Sequence, residues 1–292
     1  MFRRSDVERG VEWWESHGYR VELAEGLFSN DDWVAGAAER RARDLEALFA
    51  DPGVDAVQVY RGGYGSAQLI PLLDFGVVAA NPKPFVGFSD ITALHETIRQ
   101  RTGLATFYGP GLHQIGDKEA SDLTREQLLA RLRGQTGEVP RAPDDPYVRA
   151  IAGGRVSATL VGGCLWLLAQ TMGTPWEFAA EGAILFFEDV NVPAWQLDGM
   201  LVQLAAAGKL DAVVGVVVGE LAKSEFDEVR SGFPRMKSLE EVLENRLGDL
   251  GVPVLYGLPL GHGKHLATVP LGVTCTLDAD ARMLTVDEPA VR

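Results

Sequence analysis

Hydrophobic positions in the first half of the chain alternate between helical and strand-like spacing. Val7, Val11 and Trp14 share one helical face, which predicts an amphipathic helix capped by Ser5 or Asp6 and ending near Gly18. Further helices are predicted from a cap at Asn30 or Asp31 through Leu48, over 67–73 and over 90–101, and strands over 20–24, 55–60, 85–88 and 105–108. Strands and helices that alternate at these lengths indicate βαβ units and a parallel sheet.

The pattern changes after residue 134. Glycine and proline recur among polar residues there, at Gly134, Gly137, Pro140, Pro143 and Pro146. A segment rich in glycine, proline and polar residues is typical of a linker. We therefore expect an α/β domain over 1–136, a linker over 137–149 and a second domain over 150–292.

The second half predicts a mixed sheet with helices. An apolar run over 183–187 and a β-branched run over 212–218 indicate strands, and 194–207 indicates a helix. Near the end, 273–277 and 282–286 flank four residues rich in aspartate, which predicts an antiparallel hairpin.

Composition and charge limit the candidate partners and the cellular compartment of the protein. The 292 residues include 27 Lys plus Arg and 41 Asp plus Glu, a net charge of −14. A chain this acidic lacks a broad basic surface, so nucleic acid and anionic membranes are poor candidate partners. No apolar run reaches the roughly 18 residues of a membrane span, and the first residues lack the apolar core of a secretory signal. We expect a cytoplasmic protein, and its two cysteines fit a reducing compartment.

One candidate for chemistry is Ser89, in the segment Gly87-Phe88-Ser89-Asp90. A serine on a tight turn from strand to helix projects its hydroxyl away from the sheet, and the following N–H groups face a developing oxyanion. Position 91 is isoleucine, so the general G-x-S-x-G pattern fails. The alternative is that Ser89 or Asp90 caps the helix.

Two other segments have both a functional and a structural interpretation. The glycine-rich loop over 61–66 lacks the lysine of a nucleotide-binding P-loop, so it is either a tight turn or a place where backbone approaches a ligand. Glu188 and Asp189 end an apolar strand, where ligands gather in α/β folds, or they form a solvated strand end.

Of the five histidines, His262 is the best candidate for a general base. Glycines on both sides free its loop to present the ring, although an exposed loop histidine is the alternative. The H-x-x-H spacing of His262 and His265 is not H-E-x-x-H, and two cysteines cannot form a thiolate cage, so we expect no metal site. His17 and His95 are interpreted as structural or exposed, and His113 has no partner at a recognisable spacing.

Several separate motifs, in the same order, resemble the murein tetrapeptide LD-carboxypeptidases. They are 61–66 (RGGYGS), 69–74 (LIPLLD), 86–94 (VGFSDITAL), 106–110 (TFYGP), 185–189 (LFFED) and 257–263 (GLPLGHG). The resemblance implies a Ser-Glu-His triad of Ser89, Glu188 and His262. It also implies an oxyanion hole formed by the N–H groups of Gly63 and Asp90.

The same resemblance implies a fold and a reaction. The expected fold is a flavodoxin-like α/β domain with a parallel sheet, joined to a smaller domain with mixed, barrel-like β-structure. The expected enzyme is a homodimeric serine-type carboxypeptidase that needs no cofactor. It would hydrolyse the terminal L,D-peptide bond of a murein peptide substrate, the tetrapeptide, and release D-Ala in peptidoglycan recycling.

Two departures and three rival functions accompany this interpretation. Family members usually begin with a strand before the first helix, so a central parallel strand is expected to be missing. Family members also often have an arginine after the aspartate of a later helix, whereas this chain has Gly199 after Asp198. The nearest rival is a microcin C-type self-immunity peptidase, which shares the mechanism but tends to be longer. The others are a non-catalytic flavodoxin-like binding module and a glutamine amidotransferase, the latter disfavoured because the turn holds serine rather than cysteine.

Overall fold

The computed structural model describes residues 4–144, 147–224 and 237–291. Its helices are α1 Arg4–Ser16, α2 Ala38–Ala50, α3 Phe75–Ala80, α4 Thr92–Thr102, α5 Leu112–Ile115, α6 Asp122–Leu132, α7 Leu165–Gln170, α8 Ala194–Ala206, α9 Lys209–Ala212 and α10 Leu239–Leu247. Its strands are β1 Val57–Gln58, β2 Phe85–Gly87, β3 Thr106–Tyr108, β4 Gly137–Glu138, β5 Arg149–Ala152, β6 Arg155–Cys164, β7 Ile184–Val190, β8 Gly215–Ala222, β9 Val254–Tyr256, β10 Val269–Leu271, β11 Thr274–Asp278 and β12 Met283–Val286. Short 3₁₀ helices cover Ser66–Leu72 and Ser89–Ile91.

The first sheet draws strands from both halves of the chain. Its order is β1-β2-β3-β10, in which β1, β2 and β3 are parallel and β10 is antiparallel to β3. The parallel arrangement confirms the βαβ prediction. Since β10 lies far along the chain, the second half contributes directly to the sheet of the first.

The second sheet is mixed, as predicted. Its order is β4-β12-β11-β6-β7-β8-β9-β5, with a parallel centre from β6 to β9 and antiparallel strands on both sides. The order of the described strands has two ends, β4 and β5, so the barrel-like expectation is not met by a closed barrel here. The hairpin prediction is confirmed by β11 and β12.

Apolar side chains fill the space between the sheets. One buried cluster joins Phe88, which follows β2, and Tyr108 of β3 to Phe186 and Leu260 of the second half. Another packs α7, α8 and α10 onto the parallel strands of the second sheet. The ends of β2, β3 and β7 are therefore held close together around one packed region.

Two local predictions are wrong. Residues 20–24 form no strand, because no described strand pairs with them; Leu23 is exposed, and Val21 packs against the cluster around α1. The second helix begins at Ala38 rather than after Asn30 or Asp31. Instead, Asp31 and Val34 bond to each other in a tight bridge, which takes the chain out of helical geometry.

The segment predicted as a linker contains ordered structure at its start. Gly137 and Glu138 form β4 and pair with β12. Pro146 lies outside the described residues. The division into 1–136, 137–149 and 150–292 stays a prediction.

Candidate active site

Ser89 occupies a strained turn directly after β2. Its φ of 64° is in the left-handed region, which non-glycine residues rarely adopt and which is common at functional sites. A side chain at Gly87 would meet Val59 and Ile91, so the turn requires a glycine two residues before the serine. The turn is thus packed into a conformation that projects the Ser89 hydroxyl.

Neither Ser89 nor Asp90 caps helix α4 with its side chain. Helix α4 begins after Ile91 without a side-chain cap. The Asp90 carboxylate accepts a hydrogen bond from the Ser66 N–H at 2.8 Å, which ties the turn to the end of the glycine-rich loop.

His262 lies beside the Ser89 hydroxyl, on the loop between β9 and β10. Its Nε2 is 3.0 Å from Ser89 Oγ, within hydrogen-bond reach. The imidazole also packs against the Phe88 ring, with centroids 4.9 Å apart. The long distance in sequence between these residues is closed by the fold.

Glu188 holds the other side of the imidazole. Its Oε2 is 2.7 Å from His262 Nδ1 and also accepts the His262 backbone N–H at 3.2 Å. Glu188 lies in β7 and is fully buried. A buried carboxylate with several donors is compensated for the loss of water.

Gly261 makes this approach possible. Its φ is 126°, and a Cβ at this position would overlap the Glu188 carboxylate. Only glycine combines that conformation with that proximity. The glycine before His262 therefore has a steric function rather than merely freeing the loop.

Asp189 faces away from this group. Its carboxylate accepts the N–H groups of Trp166 at 2.9 Å and Val190 at 2.8 Å. Burial raises the pKa of Asp189 to about 6. Although Glu188 and Asp189 are neighbours in sequence, successive side chains of a strand point to opposite faces of the sheet, so the two carboxylates contact different residues.

The glycine-rich loop lies against the serine. A Cβ on Gly62 would be 2.8 Å from Ser89 Cβ, so a side chain there would collide with the serine. The next residue, Gly63, has a φ of 124°. Gly62 and Ser89 are therefore in close contact. Each is followed in the chain by one of the two predicted oxyanion donors, Gly63 and Asp90.

The other histidines have structural surroundings. His95 is fully buried, contacts the Gly87 carbonyl through Nε2 at 2.9 Å, and has a pKa lowered to about 4 by burial. His113 is near the Tyr60 carbonyl, and His17 is an exposed residue at the end of α1. His265 is 2.5 Å from an Asp144 carboxylate oxygen and does not join the group around Ser89.

Sequence reasoning assigned no function to Tyr108, yet it contacts two members of the group. Its hydroxyl donates to Glu188 Oε1 at 2.6 Å and accepts the Ser89 N–H at 3.1 Å. The signal that could have found it was its place in the 106–110 motif. Within the described ranges, no group of three or more His, Cys, Asp or Glu side chains is placed to hold a metal ion.

Family models match both halves of the chain. The LD-carboxypeptidase N-terminal domain matches residues 2–109, and the LD-carboxypeptidase C-terminal domain matches residues 157–277. The chain belongs to the LD-carboxypeptidase family. At the level of this family it is a serine-type carboxypeptidase, a hydrolase.

Named relatives include two kinds of protein. The murein tetrapeptide carboxypeptidase of Pseudomonas aeruginosa is 32% identical over 274 residues, 91% of this chain and 86% of its own. The microcin C7 self-immunity protein MccF of Escherichia coli is 29% identical over 306 residues, 96% of this chain and 87% of its own.

Solved structures share the fold over nearly the whole chain. The muramoyltetrapeptide carboxypeptidase of Oxalobacter formigenes is 28% identical, with a TM-score of 0.86, and the match covers 99% of this chain and 97% of that one. The mixed α/β, two-domain fold expected from the resemblance is thereby confirmed. Among the described helices, none is long and apolar enough to cross a membrane.

Proposed function

We propose that this LD-carboxypeptidase family member hydrolyses the terminal L,D-peptide bond of a murein tetrapeptide and releases D-Ala. The observation that carries the proposal is the continuous chain of contacts from Ser89 Oγ through His262 to Glu188. The relatives named as murein or muramoyl tetrapeptide carboxypeptidases support the substrate class.

In the proposed mechanism Ser89 is the nucleophile. Its Oγ attacks the scissile carbonyl while His262 Nε2 accepts the hydroxyl proton. Glu188 orients the imidazole and stabilises its positive charge. His262 then donates the proton to the departing amine of D-Ala, and a water molecule, activated in the same way, releases the peptide from Ser89.

The oxyanion is the second requirement of this reaction. We assign it to the backbone N–H groups of Gly63, which follows Gly62 in the glycine-rich loop, and of Asp90, which follows Ser89 in the turn. Preorganised N–H donors stabilise negative charge that develops in the transition state. The absence of a side chain at Gly62 leaves room for the carbonyl to approach.

The proposal extends to cellular context. A cytoplasmic homodimer that recycles peptidoglycan peptides is what the family resemblance implies. Light scattering coupled to size exclusion measures the oligomeric state directly. A monomer at micromolar concentration would contradict the dimer and leave the chemistry unaffected.

A microcin-type activity is the second candidate. MccF has been solved with glutamyl sulfamoyl guanosine and with aspartyl sulfamoyl adenosine, and its fold matches with TM-scores of 0.87 and 0.85. An aminoacyl sulfamoyl nucleoside is therefore the discriminating competitor substrate. Faster cleavage of this conjugate than of the tetrapeptide would replace the murein assignment.

Mass spectrometry of murein tri-, tetra- and pentapeptides tests the proposed function. We expect loss of one alanine from the tetrapeptide alone, and no reaction with Ser89→Ala, whose circular dichroism should match the wild type. Turnover of the tetrapeptide by Ser89→Ala would remove Ser89 as the nucleophile. No cleavage of any substrate by the wild type would favour a binding module.

A further inference from the structure

The structure assigns Tyr108 as a positioning residue that holds the nucleophile turn and the Glu188 carboxylate in register. This inference rests on the proposed function, because it describes how that site is assembled. Tyr108 ends β3, whereas Ser89 follows β2 and Glu188 lies in β7. One hydroxyl thus connects three separate elements.

The direction of each hydrogen bond follows from chemistry. Burial raises the pKa of Tyr108 well above its ordinary value, with the neighbouring Glu188 charge adding to the effect, so the hydroxyl keeps its proton. The proton points to Glu188 Oε1, since an ionised carboxylate can only accept. The phenol oxygen then accepts the N–H of Ser89.

These bonds constrain both ends of the proposed proton relay. With Oε1 held by Tyr108, the other oxygen, Oε2, is directed at His262 Nδ1. With the Ser89 N–H held by Tyr108, the strained turn keeps one orientation of Oγ. It follows that the Ser89 N–H is not an oxyanion donor, which leaves that function to Gly63 and Asp90.

The ring itself cannot move to other partners. Tyr108 is fully buried and packs edge-on against Phe186, with centroids 5.1 Å apart, and against Phe88 at 6.2 Å. Its backbone is paired with Gly87 on one side and Val269 on the other. The hydroxyl is therefore placed by the fold, before any substrate binds.

Tyr108→Phe tests the inference, because it removes the hydroxyl and keeps the packed ring. We expect kcat on the tetrapeptide to fall about 10- to 100-fold, since a hydrogen bond to a charged group is lost, while KM changes less than about threefold. A purely structural effect would lower the melting temperature without this separation of kcat from KM.

Thr106→Val is the matched control. Thr106 lies on the same face of β3, two residues before Tyr108, and its buried Oγ1 has no hydrogen-bond partner among the described residues. We expect wild-type kcat and KM for this variant. A loss equal to that of Tyr108→Phe would mean that β3 tolerates no change, and the positioning claim would fail.

A double-mutant cycle locates the path of the effect. Because Tyr108 contacts both Glu188 and the Ser89 N–H, Tyr108→Phe should cost several-fold less in a Glu188→Gln background than in the wild type, measured as the single-turnover acylation rate, and the remaining cost reports the Ser89 contact. Full additivity of the two losses would overturn the inference. An inactive wild type, or an active Ser89→Ala, would instead refute the proposed function on which the inference rests.

Discussion

At the scale of single residues, Glu188 and Asp189 demonstrate how neighbouring carboxylates acquire different functions. Glu188 accepts from Tyr108 and His262, whereas Asp189 accepts two backbone N–H groups and a weak contact from Cys164. The strand directs the two side chains to opposite sides of the sheet. Contact with His262, rather than burial or charge, separates the proposed triad acid from its neighbour.

Glu188→Gln should therefore be far more harmful to turnover than Asp189→Asn. A glutamine keeps the shape but presents an amide to the imidazole and favours the wrong tautomer; the comparable aspartate-to-asparagine change in a Ser-His-Asp protease triad costs about 10⁴-fold. We expect a loss of at least about 10³-fold in kcat for Glu188→Gln, and less than about tenfold for Asp189→Asn. Steady-state kinetics of both variants on one tetrapeptide measures these losses. A larger loss for Asp189→Asn than for Glu188→Gln would assign the triad acid to Asp189.

Asp189 should instead affect stability as a function of pH. Its pKa is about 6 in the folded protein, above the unfolded value of about 3.9, so the folded state binds the extra proton. Wild-type stability should fall relative to Asp189→Asn as pH rises from about 4 to about 6, by roughly 3 kcal/mol at most, and the difference should be constant above that range. Urea unfolding of both variants at several pH values measures it; parallel curves throughout would contradict the raised pKa.

At the scale of elements, the loop from β9 to β10 is anchored on both sides of His262. The Leu260 carbonyl accepts the Glu220 N–H at 2.9 Å, and the Leu266 N–H donates to Thr124 at 2.9 Å. Between these anchors His262 meets Ser89, while Lys264 and His265 both contact Asp144. The loop thus holds two histidines with separate partners.

His262→Ala and His265→Ala should separate accordingly. Removal of the proposed general base should lower kcat by at least about 10³-fold. Removal of His265 leaves the Ser89 contact in place, so we expect kcat within about fivefold of the wild type, with a modest fall in melting temperature. Equal losses in kcat would mean that the loop, not His262, is what the reaction requires.

At the scale of the whole molecule, the two halves are joined by more than the connecting segment. Strand β10 completes the first sheet beside β3. Thr92 Oγ1 donates to the Ser89 carbonyl and accepts the Cys164 N–H, and the buried Glu96 accepts the Gly162 N–H. We expect one cooperative unfolding transition, in which activity and secondary structure are lost together.

Glu96→Ala should weaken this junction. The substitution leaves the buried Gly162 N–H unsatisfied and Arg99 without its 2.7 Å partner, at a cost of about 3 kcal/mol. Asp198→Ala is the control, because it breaks a partly exposed ion pair with Arg246 inside the second half and should cost about 1 kcal/mol or less. Urea unfolding measures both, and equal costs would show that the Glu96 contact does not join the halves.

The local pattern of the sequence was sufficient for the elements that carry their own periodicity. Helix α1, helix α8 and the hairpin of β11 and β12 were predicted near their observed bounds, because an apolar face or an alternating strand with a turn is a short-range property. The motifs also singled out Ser89, Glu188 and His262 and the family. The strand predicted over 20–24 failed because alternation alone does not supply a partner strand.

Only the tertiary structure decided how these residues meet. It brought Ser89, Glu188 and His262 within hydrogen-bond distance across gaps of many residues, turned Asp189 away, and placed Tyr108 between Ser89 and Glu188. It also inserted β10 into the first sheet. Hydrogen-bond partners across such gaps depend on strand order and side-chain packing, and local periodicity contains no information about either.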